Sequence, residues 1–187
     1  MLIELMLKKN YITNYLNKLT NLINDFSHED FLKIIKIIKK VKKARKKVIL
    51  VGNGGSAAMA SHVSVDLTKI CKIRAVNFNE ADLLTCFSND YGYENWVQKA
   101  LSFYADSGDL LICISSSGES KNIINGAMFA KKIGCKVITL TGFDEKNKVR
   151  KIGHVNLWLN SKNYNLIEMT HHVWLLSIVD SLANVKF

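Results

Sequence analysis

The chain has 187 residues, of which 48% are hydrophobic, and it carries a formal net charge of +10 and four cysteines. This length is enough to bury one full core, so we expect a single domain over 1–187, with helices in 1–46 and an α/β core in 47–187. Without a signal-peptide start, a run long enough to span a bilayer, or a C-x-x-C motif, the sequence predicts a cytoplasmic protein with reduced thiols and no membrane contact.

The first 46 residues have the spacing of two helices. Leu, Ile, Met and Tyr recur every three or four residues from about Leu2 to Ile23, which predicts one long helix. Its apolar surface exceeds what one domain edge needs, so we expect part of it to pack against another subunit. The stretch SHED at 27–30 resembles a capping box and opens a second, lysine-rich helix.

The positive charge is concentrated in this second helix. Nine of the 26 basic residues lie between Lys33 and Lys47. Apolar residues recur there at helical spacing and lysines fill the other side, as on the solvated face of an amphipathic helix. No aromatic residues interleave with the lysines and no nucleic-acid motif is present, so nucleic acid is not a predicted partner.

A strand, a glycine loop and a helix form the central feature of the chain. The apolar run VILV at 48–51 enters Gly52-Asn53-Gly54-Gly55, and a helical segment begins near Ser56. Glycines let the backbone approach a ligand, and a helix start directs N–H groups at the same point, which favours a phosphate. The alternative is an ordinary strand-to-helix turn. The spacing fits neither the dinucleotide fingerprint nor the P-loop.

A serine-rich loop follows a second apolar strand. The strand runs from Asp109 to Ile114 and leads into Ser115-Ser116-Ser117-Gly118-Glu119-Ser120, before a helix that starts at about Lys121. Hydroxyl groups can hydrogen-bond phosphate oxygens without adding charge. Each serine by itself fits a cap or a turn. Two such loops at neighbouring strand ends, however, predict a sugar-phosphate pocket.

Strands and helices alternate along the rest of the chain. Further strands are predicted near 73–78, 136–140 and 155–159, and helices at about 79–87, 94–104, 121–132 and 166–182, with Asn89 and Asp90 in a turn. This order lacks the short turns of hairpins. It predicts an α/β fold, a three-layer α-β-α sandwich with a five-stranded parallel sheet and ligands at the carboxyl ends of the strands.

Four stretches together resemble the SIS (sugar isomerase) domain family, and within it the sedoheptulose 7-phosphate (phosphoheptose) isomerases. They are the loop at 52–58, the His62…Asp66-Leu67-Thr68 pattern, the tetrapeptide NDYG at 89–92 and the serine loop. The resemblance implies an aldose–ketose isomerase of carbohydrate metabolism that acts on a phosphorylated sugar through an enediol, as a homotetramer. It implies substrate contacts at Asn53, Gly54, Gly55, Ser56, Asn89, Asp90, Ser115, Ser116, Ser117, Ser120 and Glu168.

The titratable candidates lie on two helices. His62 and Asp66 are four residues apart and share a helix face, and so do Glu168 and His172. The resemblance implies a base at Asp66 and an acid at the position of Leu176, which cannot transfer a proton. His172, one turn earlier, is therefore the candidate acid, with Glu168 orienting it or serving as the acid itself. Some members bind zinc, and the matching ligands here are His62, Asp66 and Glu168.

A non-catalytic sugar-phosphate-binding SIS module, similar to the DnaA initiator-associating proteins, is the alternative function. A full regulator would need a helix-turn-helix domain, and the roughly 45 residues before the sheet are too few for one. Asp66, Glu168 and His172 favour the isomerase, because a scaffold does not need three titratable groups at its pocket.

Overall fold

A computed structural model of the chain describes the backbone of residues 2–186 and the side chains of residues 8–186. Its helices are α1 (Leu2–Asn24), α2 (His28–Lys43), α3 (Gly55–Lys69), α4 (Ala81–Tyr91), α5 (Trp96–Tyr104), α6 (Lys121–Lys132), α7 (Lys148–Ile152) and α8 (Tyr164–Ala183). Its strands are β1 (Val48–Gly52), β2 (Ala75–Asn77), β3 (Leu110–Ser115), β4 (Lys136–Thr141) and β5 (Val155–Trp158).

The five strands form one parallel sheet in the order β2-β1-β3-β4-β5. The register pairs Val48 of β1 with Leu110 of β3, and Leu110 with Lys136 of β4. The chain winds from β1 to β2 on one side and then crosses to β3 on the other. The winding direction therefore reverses between β1 and β3, and a crevice opens there at the carboxyl ends of the two strands. The predicted parallel sheet is confirmed.

Hydrophobic residues fill both faces of the sheet, because successive side chains of a strand point to opposite sides. Val48 and Leu50 pack into one core with apolar residues of α2, α3 and α8. Ile49 and Val51 pack into the other with residues of α5 and α6, among them Trp96. This arrangement confirms the predicted three-layer sandwich.

Helix α2 has the predicted amphipathic character. Ser27 is its N-cap residue, and the hydroxyl of Ser27 accepts a hydrogen bond from the N–H of Asp30 at 3.2 Å. Ile34, Ile38 and Val41 are buried in the core. The lysines on the other side of the helix are thereby left facing outward, as the sequence predicted.

Two local predictions are wrong. Asn89 and Asp90 lie in the last turn of α4 and not in a separate turn. The backbone hydrogen bonds of α4 continue to Gly92, whose N–H donates to the carbonyl of Ser88 at 3.0 Å, and Gly92, with a φ of 82°, is the residue that ends the helix. Strand β2 is also shorter than the predicted 73–78, and α7 was not predicted.

Helices α3 and α8 lie side by side and run in the same direction. Gly55 of α3 lies against Glu168 of α8. About two turns further along α3 and one turn further along α8, His62 contacts His172. Near the ends of the helices, the thiol of Cys71 donates to the carbonyl of Val179 at 3.4 Å. Glu168 and His172 therefore both face α3.

All four cysteines are unpaired thiols, and Cys71, Cys113 and Cys135 are buried. The prediction of reduced thiols agrees with this arrangement. None of the helices in the described part of the chain is both long and apolar enough to cross a membrane.

Candidate active site

The first element of the site is the loop that follows β1. Gly54 precedes α3 as its N-cap residue and has a φ of 54°, which strains any residue with a β-carbon. The carbonyl of Asn53 accepts hydrogen bonds from the N–H groups of Ser56 and Ala57 at 3.0 and 3.3 Å. The chain thus turns tightly from strand to helix, and the start of α3 faces the crevice.

The second element is the serine loop (residues 115–120) after β3. The N–H of Gly118 donates to the carbonyl of Ser115 at 3.0 Å, and Gly118 has a φ of 66°. The hydroxyl of Ser117 accepts from the N–H of Glu119 at 3.3 Å. Ser120 precedes α6 as its N-cap residue, yet its side chain makes no capping hydrogen bond. Its hydroxyl is therefore available to a ligand.

Helix α7 supports the serine loop from behind. The N–H of Val149 donates to the carbonyl of Gly118 at 3.0 Å, and Lys148 holds Glu119 through both its backbone N–H, at 3.1 Å, and its ammonium group, at 2.9 Å. These two hydrogen bonds lower the pKa of Glu119. A β-carbon on Gly118 would collide with Asn147. These contacts with α7 hold the backbone of the serine loop in place from the side away from the crevice.

A polar cavity of about 100 Å³ lies between the two loops. It is lined by Asn53, Ser56, Ile114, Ser115, Ser116, Ser117, Ser120, Tyr164 and Glu168. Most of the predicted substrate contacts therefore meet in one place. Gly54 and Gly55 belong to the adjoining loop, while Asn89 and Asp90, on exposed positions of α4, do not line the cavity in the described chain.

Ser116 has a buried hydroxyl without a hydrogen-bond partner among the described residues. An unsatisfied buried hydroxyl destabilises the fold by roughly 1–3 kcal/mol, unless something bonds to it. Since this hydroxyl belongs to a residue that lines the cavity, a ligand oxygen can supply the missing hydrogen bond.

Glu168 is the carboxylate that lines the cavity. It projects from α8 across the start of α3, and Gly55 makes room for it, because a β-carbon at residue 55 would collide with the carboxylate. Burial raises the pKa of Glu168. A carboxylate with a raised pKa is a better proton acceptor, which suits general acid–base chemistry.

Asp66, His62 and His172 form a chain of contacts between α3 and α8. Nε2 of His62 lies 3.2 Å from the carboxylate of Asp66, and Nδ1 of His62 lies 3.0 Å from Nε2 of His172. A carboxylate only accepts hydrogen bonds, so in a neutral His62 ring Nε2 donates to Asp66 and Nδ1 accepts from His172. Nδ1 of His172 then carries a free lone pair.

The two adjacent histidines of α8 have different surroundings. Burial lowers the pKa of His172, and His62 lowers it further while Asp66 opposes the change. His171 is fully buried, with Nε2 3.3 Å from the carbonyl of Thr141, and burial lowers its pKa to about 3. His171 is therefore a neutral core residue.

Comparison with known proteins places the chain in a family. The SIS domain profile matches residues 11–142. The chain belongs to the SIS domain family. It is 36% identical over 144 residues to a phosphoheptose isomerase of Aliarcobacter butzleri, covering 74% of this chain and 76% of the relative. It is 37% identical over 132 residues to one from Sulfurimonas denitrificans, covering 67% of each chain. The predicted resemblance to this family is confirmed.

Solved structures agree with the sequence comparison. A phosphoheptose isomerase of Neisseria gonorrhoeae superposes with a TM-score of 0.88 at 25% identity, covering 96% of this chain and 100% of that one. One from Francisella tularensis superposes with a TM-score of 0.86 at 21% identity, covering 97% and 98%, and supports the fold. The match to the family profile ends at residue 142, before α8, so Glu168 and His172 lie outside the matched region.

The predicted zinc ligands of the SIS domain do not come together. Both ring nitrogens of His62 face protein side chains, while Glu168 lies in the cavity. Over the part of the chain with described side chains, no group of three or more His, Cys, Asp or Glu residues is arranged to hold a metal ion. As placed, His62, Asp66 and Glu168 do not form a three-ligand site, and zinc binding stays a prediction.

Sequence reasoning missed three residues around the pocket of this SIS domain. Tyr164 lines the cavity. Asn122, in the first turn of α6, pairs with Asn53, and the hydroxyl of Tyr93 also contacts Asn53. Asn122 had a usable signal, because the first turn of a helix that follows a strand faces the strand ends. Tyr164 is the first residue of α8, four residues before Glu168, but the helix is predicted to start only at residue 166, and no sequence pattern marks Tyr93.

Proposed function

We propose that this SIS domain is a sugar-phosphate aldose–ketose isomerase of the phosphoheptose isomerase type, with sedoheptulose 7-phosphate as its candidate substrate. One observation carries the proposal: a cavity rich in hydroxyl groups at the switch between β1 and β3 contains a carboxylate, Glu168, whose pKa is raised by burial. An anion anchor and a proton acceptor thus share one pocket. The phosphoheptose isomerases that resemble the chain support the same activity.

The phosphate is assigned to the serine loop. The hydroxyls of Ser115, Ser117 and Ser120 and the first N–H groups of α6 converge on the cavity. Hydrogen bonds from neutral donors to a phosphate are charge-assisted and short, so several of them hold the anion without a cation in the pocket. The sugar then extends from the phosphate toward Glu168.

We assign to Glu168 the transfer of the carbon-bound proton of the sugar. As a carboxylate it takes a proton from carbon 1 of the ketose, and the carbonyl oxygen on carbon 2 takes up a proton, which gives an enediol. Return of the carbon-bound proton to carbon 2 and loss of the proton on oxygen 1 give the aldose. The ketose and the aldose have the same composition, so the reaction needs no oxidant, reductant or other reactant. Asp66, the base expected from the resemblance, does not line the cavity within the described chain.

We assign the transfer of the proton between the sugar oxygens to the three linked side chains of Asp66, His62 and His172. Like Asp66, His172 does not line the cavity among the described residues, but it lies one turn after Glu168 on the same face of α8, and its contact with His62 orients the ring. Its lowered pKa keeps the ring neutral at pH 7, so it can both accept and return a proton. Asp66 holds the other end of this chain.

The proposed function can be tested by incubating the purified protein with sedoheptulose 7-phosphate, and with other ketose phosphates, in D₂O. Isomerisation produces new aldose signals in the NMR spectrum, with deuterium at carbon 2 of the aldose, and reversal of the reaction places deuterium at carbon 1 of the ketose. The absence of both products from every sugar phosphate would reject the isomerase.

The non-catalytic SIS module is the second candidate function, and Leu176 is the observation that favours it. Leu176 packs against the hydrophobic core at the position implied for the family's acid. A protein that binds a sugar phosphate tightly, without isomerising or exchanging it, would belong to this class.

We also propose a homotetramer located in the cytoplasm. Tyr11, Ile12 and Leu16 of α1 expose 67%, 58% and 54% of their surface, and this apolar stripe supports burial against another subunit. The unpaired thiols and a phosphorylated substrate fit a reducing compartment.

A further inference from the structure

Asn53 and Asn122 join the two loops of the pocket through their side-chain amides. Nδ2 of Asn53 donates to Oδ1 of Asn122 at 3.1 Å, and Nδ2 of Asn122 donates to Oδ1 of Asn53 at 2.8 Å. Asn53 follows β1, whereas Asn122 lies in the first turn of α6 and exposes only 2% of its surface. The reciprocal pair fixes the plane of both amides.

The remaining hydrogen-bonding capacity of Asn53 can be counted. An amide has one oxygen with two lone pairs and one nitrogen with two hydrogens. The oxygen of Asn53 receives its second hydrogen bond from the hydroxyl of Tyr93 at 3.2 Å. Asn122 occupies one hydrogen of Nδ2. The second N–H of Asn53 Nδ2 therefore has no partner among the described residues, and Asn53 lines the polar cavity.

We propose that Asn122 is a positioning residue that holds Asn53 so that this N–H donates to an acceptor oxygen of the bound sugar phosphate. The inference rests on the proposed sugar-phosphate function of the pocket. The acceptor is either a phosphate oxygen or a sugar oxygen near Glu168, since both are within the class of ligand that the cavity suits.

The physical gain is preorganisation. A free asparagine side chain can turn its amide over and present its oxygen instead of its nitrogen, and an oxygen repels a phosphate or a carbonyl group. Asn122 opposes this, because turning the Asn53 amide alone would set Oδ1 of Asn53 against Oδ1 of Asn122 and the two Nδ2 groups against each other. The hydroxyl of Tyr93 donates to the Asn53 oxygen in the arrangement as it stands. A donor that is already oriented loses little conformational freedom when the ligand binds.

A double-mutant cycle tests the inference by calorimetric titration with sedoheptulose 7-phosphate. Asn122→Ala and Asn53→Ala are each expected to weaken binding by about 3- to 30-fold, the value of one hydrogen bond to a charged or polar oxygen. The double variant is expected to bind no more weakly than Asn53→Ala alone, because Asn122 acts through Asn53. A merely structural role would instead give additive losses.

Asn125→Ala is the matched control. Asn125 lies one turn further along α6, and its side chain donates to the carbonyl of Glu94 at 2.9 Å, away from Asn53. Its replacement is expected to leave the affinity unchanged. Tyr93→Phe provides a second variant that keeps the amide pair and removes only a hydroxyl, with an expected loss of about two- to five-fold. Thermal unfolding of each variant establishes that it folds.

Titration with inorganic phosphate locates the acceptor. Parallel losses for phosphate and sugar phosphate identify a phosphate oxygen, and a loss confined to the sugar phosphate identifies a sugar oxygen; both support the inference. Wild-type affinity in Asn122→Ala, or additive losses in the double variant, overturns it while the proposed function stands. A wild-type protein that binds neither ligand overturns both proposals.

Discussion

The carboxylate of Glu168 lies directly against the backbone of Gly55, in a space that any side chain at residue 55 would fill. This contact brings the candidate proton acceptor of α8 to the start of α3, where the glycine loop ends. The glycine serves two purposes at once, because it allows the close approach of the two helices and it leaves the carboxylate facing the cavity. The position of Glu168 therefore depends on a residue that carries no chemistry of its own.

Replacement of Gly55 by alanine is expected to displace the Glu168 carboxylate and to lower isomerase activity by about 100-fold, the effect of a displacement near 1 Å. The fold should tolerate the change, because the atoms that the new methyl group would meet are the far end of the Glu168 side chain, which can rotate away. In the Glu168→Ala background, Gly55→Ala should have no further effect on activity. Wild-type activity in the single variant would contradict the assigned role of Glu168.

Because the pKa of Glu168 is raised, the free energy of unfolding is expected to change with pH in a defined direction. Burial disfavours the ionised carboxylate, so the folded protein binds this proton more tightly than the unfolded chain does. The contribution of Glu168 to stability is then full below its unfolded pKa, near 4.3, and is lost as the pH rises through the folded value. Glu168→Gln should therefore raise the free energy of unfolding at pH 7.5, and should change it little at pH 4.

Glu119→Gln is the control with the opposite sign. The hydrogen bonds from Lys148 lower the pKa of Glu119, so its contribution is present above the unfolded pKa and is lost as the pH falls. This variant should lose stability at pH 7.5 relative to pH 4. Urea unfolding at the two pH values measures both changes. The same direction of change in both variants would refute the explanation by burial.

The strands and loops of the site could be predicted because their signals are local. Val48–Gly52 and Leu110–Ser115 are continuous apolar runs that end in glycine or serine, and parallel strands bring their carboxyl ends together. The pocket between Asn53 and the serine loop follows from this arrangement alone. Right-handed crossovers decide on which face of the sheet each helix lies, but they leave the strand order open, and the order β2-β1-β3-β4-β5 is known only from the structure.

Contacts between helices could not be predicted, because they depend on how each helix is rotated about its axis. The spacing of His62 and Asp66 predicts a shared face, but not that His62 reaches across to His172. The pairing of Asn53 with Asn122 joins residues 69 positions apart and leaves no pattern in the sequence. The prediction for Asn89 is wrong for a local reason: it ends the helix at about residue 87, one turn before Gly92, which is the residue that ends α4.

The hydroxyls of the serine loop can be tested by binding. Replacing Ser117 and Ser120 together by alanine should weaken sugar-phosphate binding by about 1–3 kcal/mol, because both hydroxyls can donate to a desolvated anion. Ser102→Ala is a suitable control, since Ser102 is at an exposed position of α5 and its hydroxyl donates to the carbonyl of Lys99. Calorimetry measures both, and an unchanged affinity in the double variant would reject this placement of the phosphate.

Subunit association can be tested on α1. Replacing Ile12 and Leu16 by glutamate places two charges in the exposed apolar stripe, and should shift a tetramer to smaller species in light scattering at micromolar concentration. Leu32→Glu is the matched control, because Leu32 of α2 is 67% exposed and lies outside the stripe. A wild-type protein that is a monodisperse monomer would contradict the proposed tetramer.

The proposed proton path gives the two carboxylates, Glu168 and Asp66, different roles that can be tested separately. Glu168→Gln should abolish the incorporation of solvent deuterium at the sugar carbon, because the amide cannot take the carbon-bound proton; general acid–base groups contribute about 10²- to 10⁴-fold. Asp66→Asn and His172→Gln should slow the exchange while sugar-phosphate binding persists, since they act on the protons of the sugar oxygens.

A matched control for these variants is His154→Gln, because Nδ1 of His154 accepts from the backbone N–H of Val137 and not from a residue of the cavity. Deuterium incorporation followed by NMR, together with calorimetric affinity, distinguishes loss of chemistry from loss of binding. Abolished exchange in Asp66→Asn with normal exchange in Glu168→Gln would return the role of base to Asp66. Wild-type exchange in both Asp66→Asn and His172→Gln would remove the chain through His62 from the mechanism and leave Glu168 to move the protons alone.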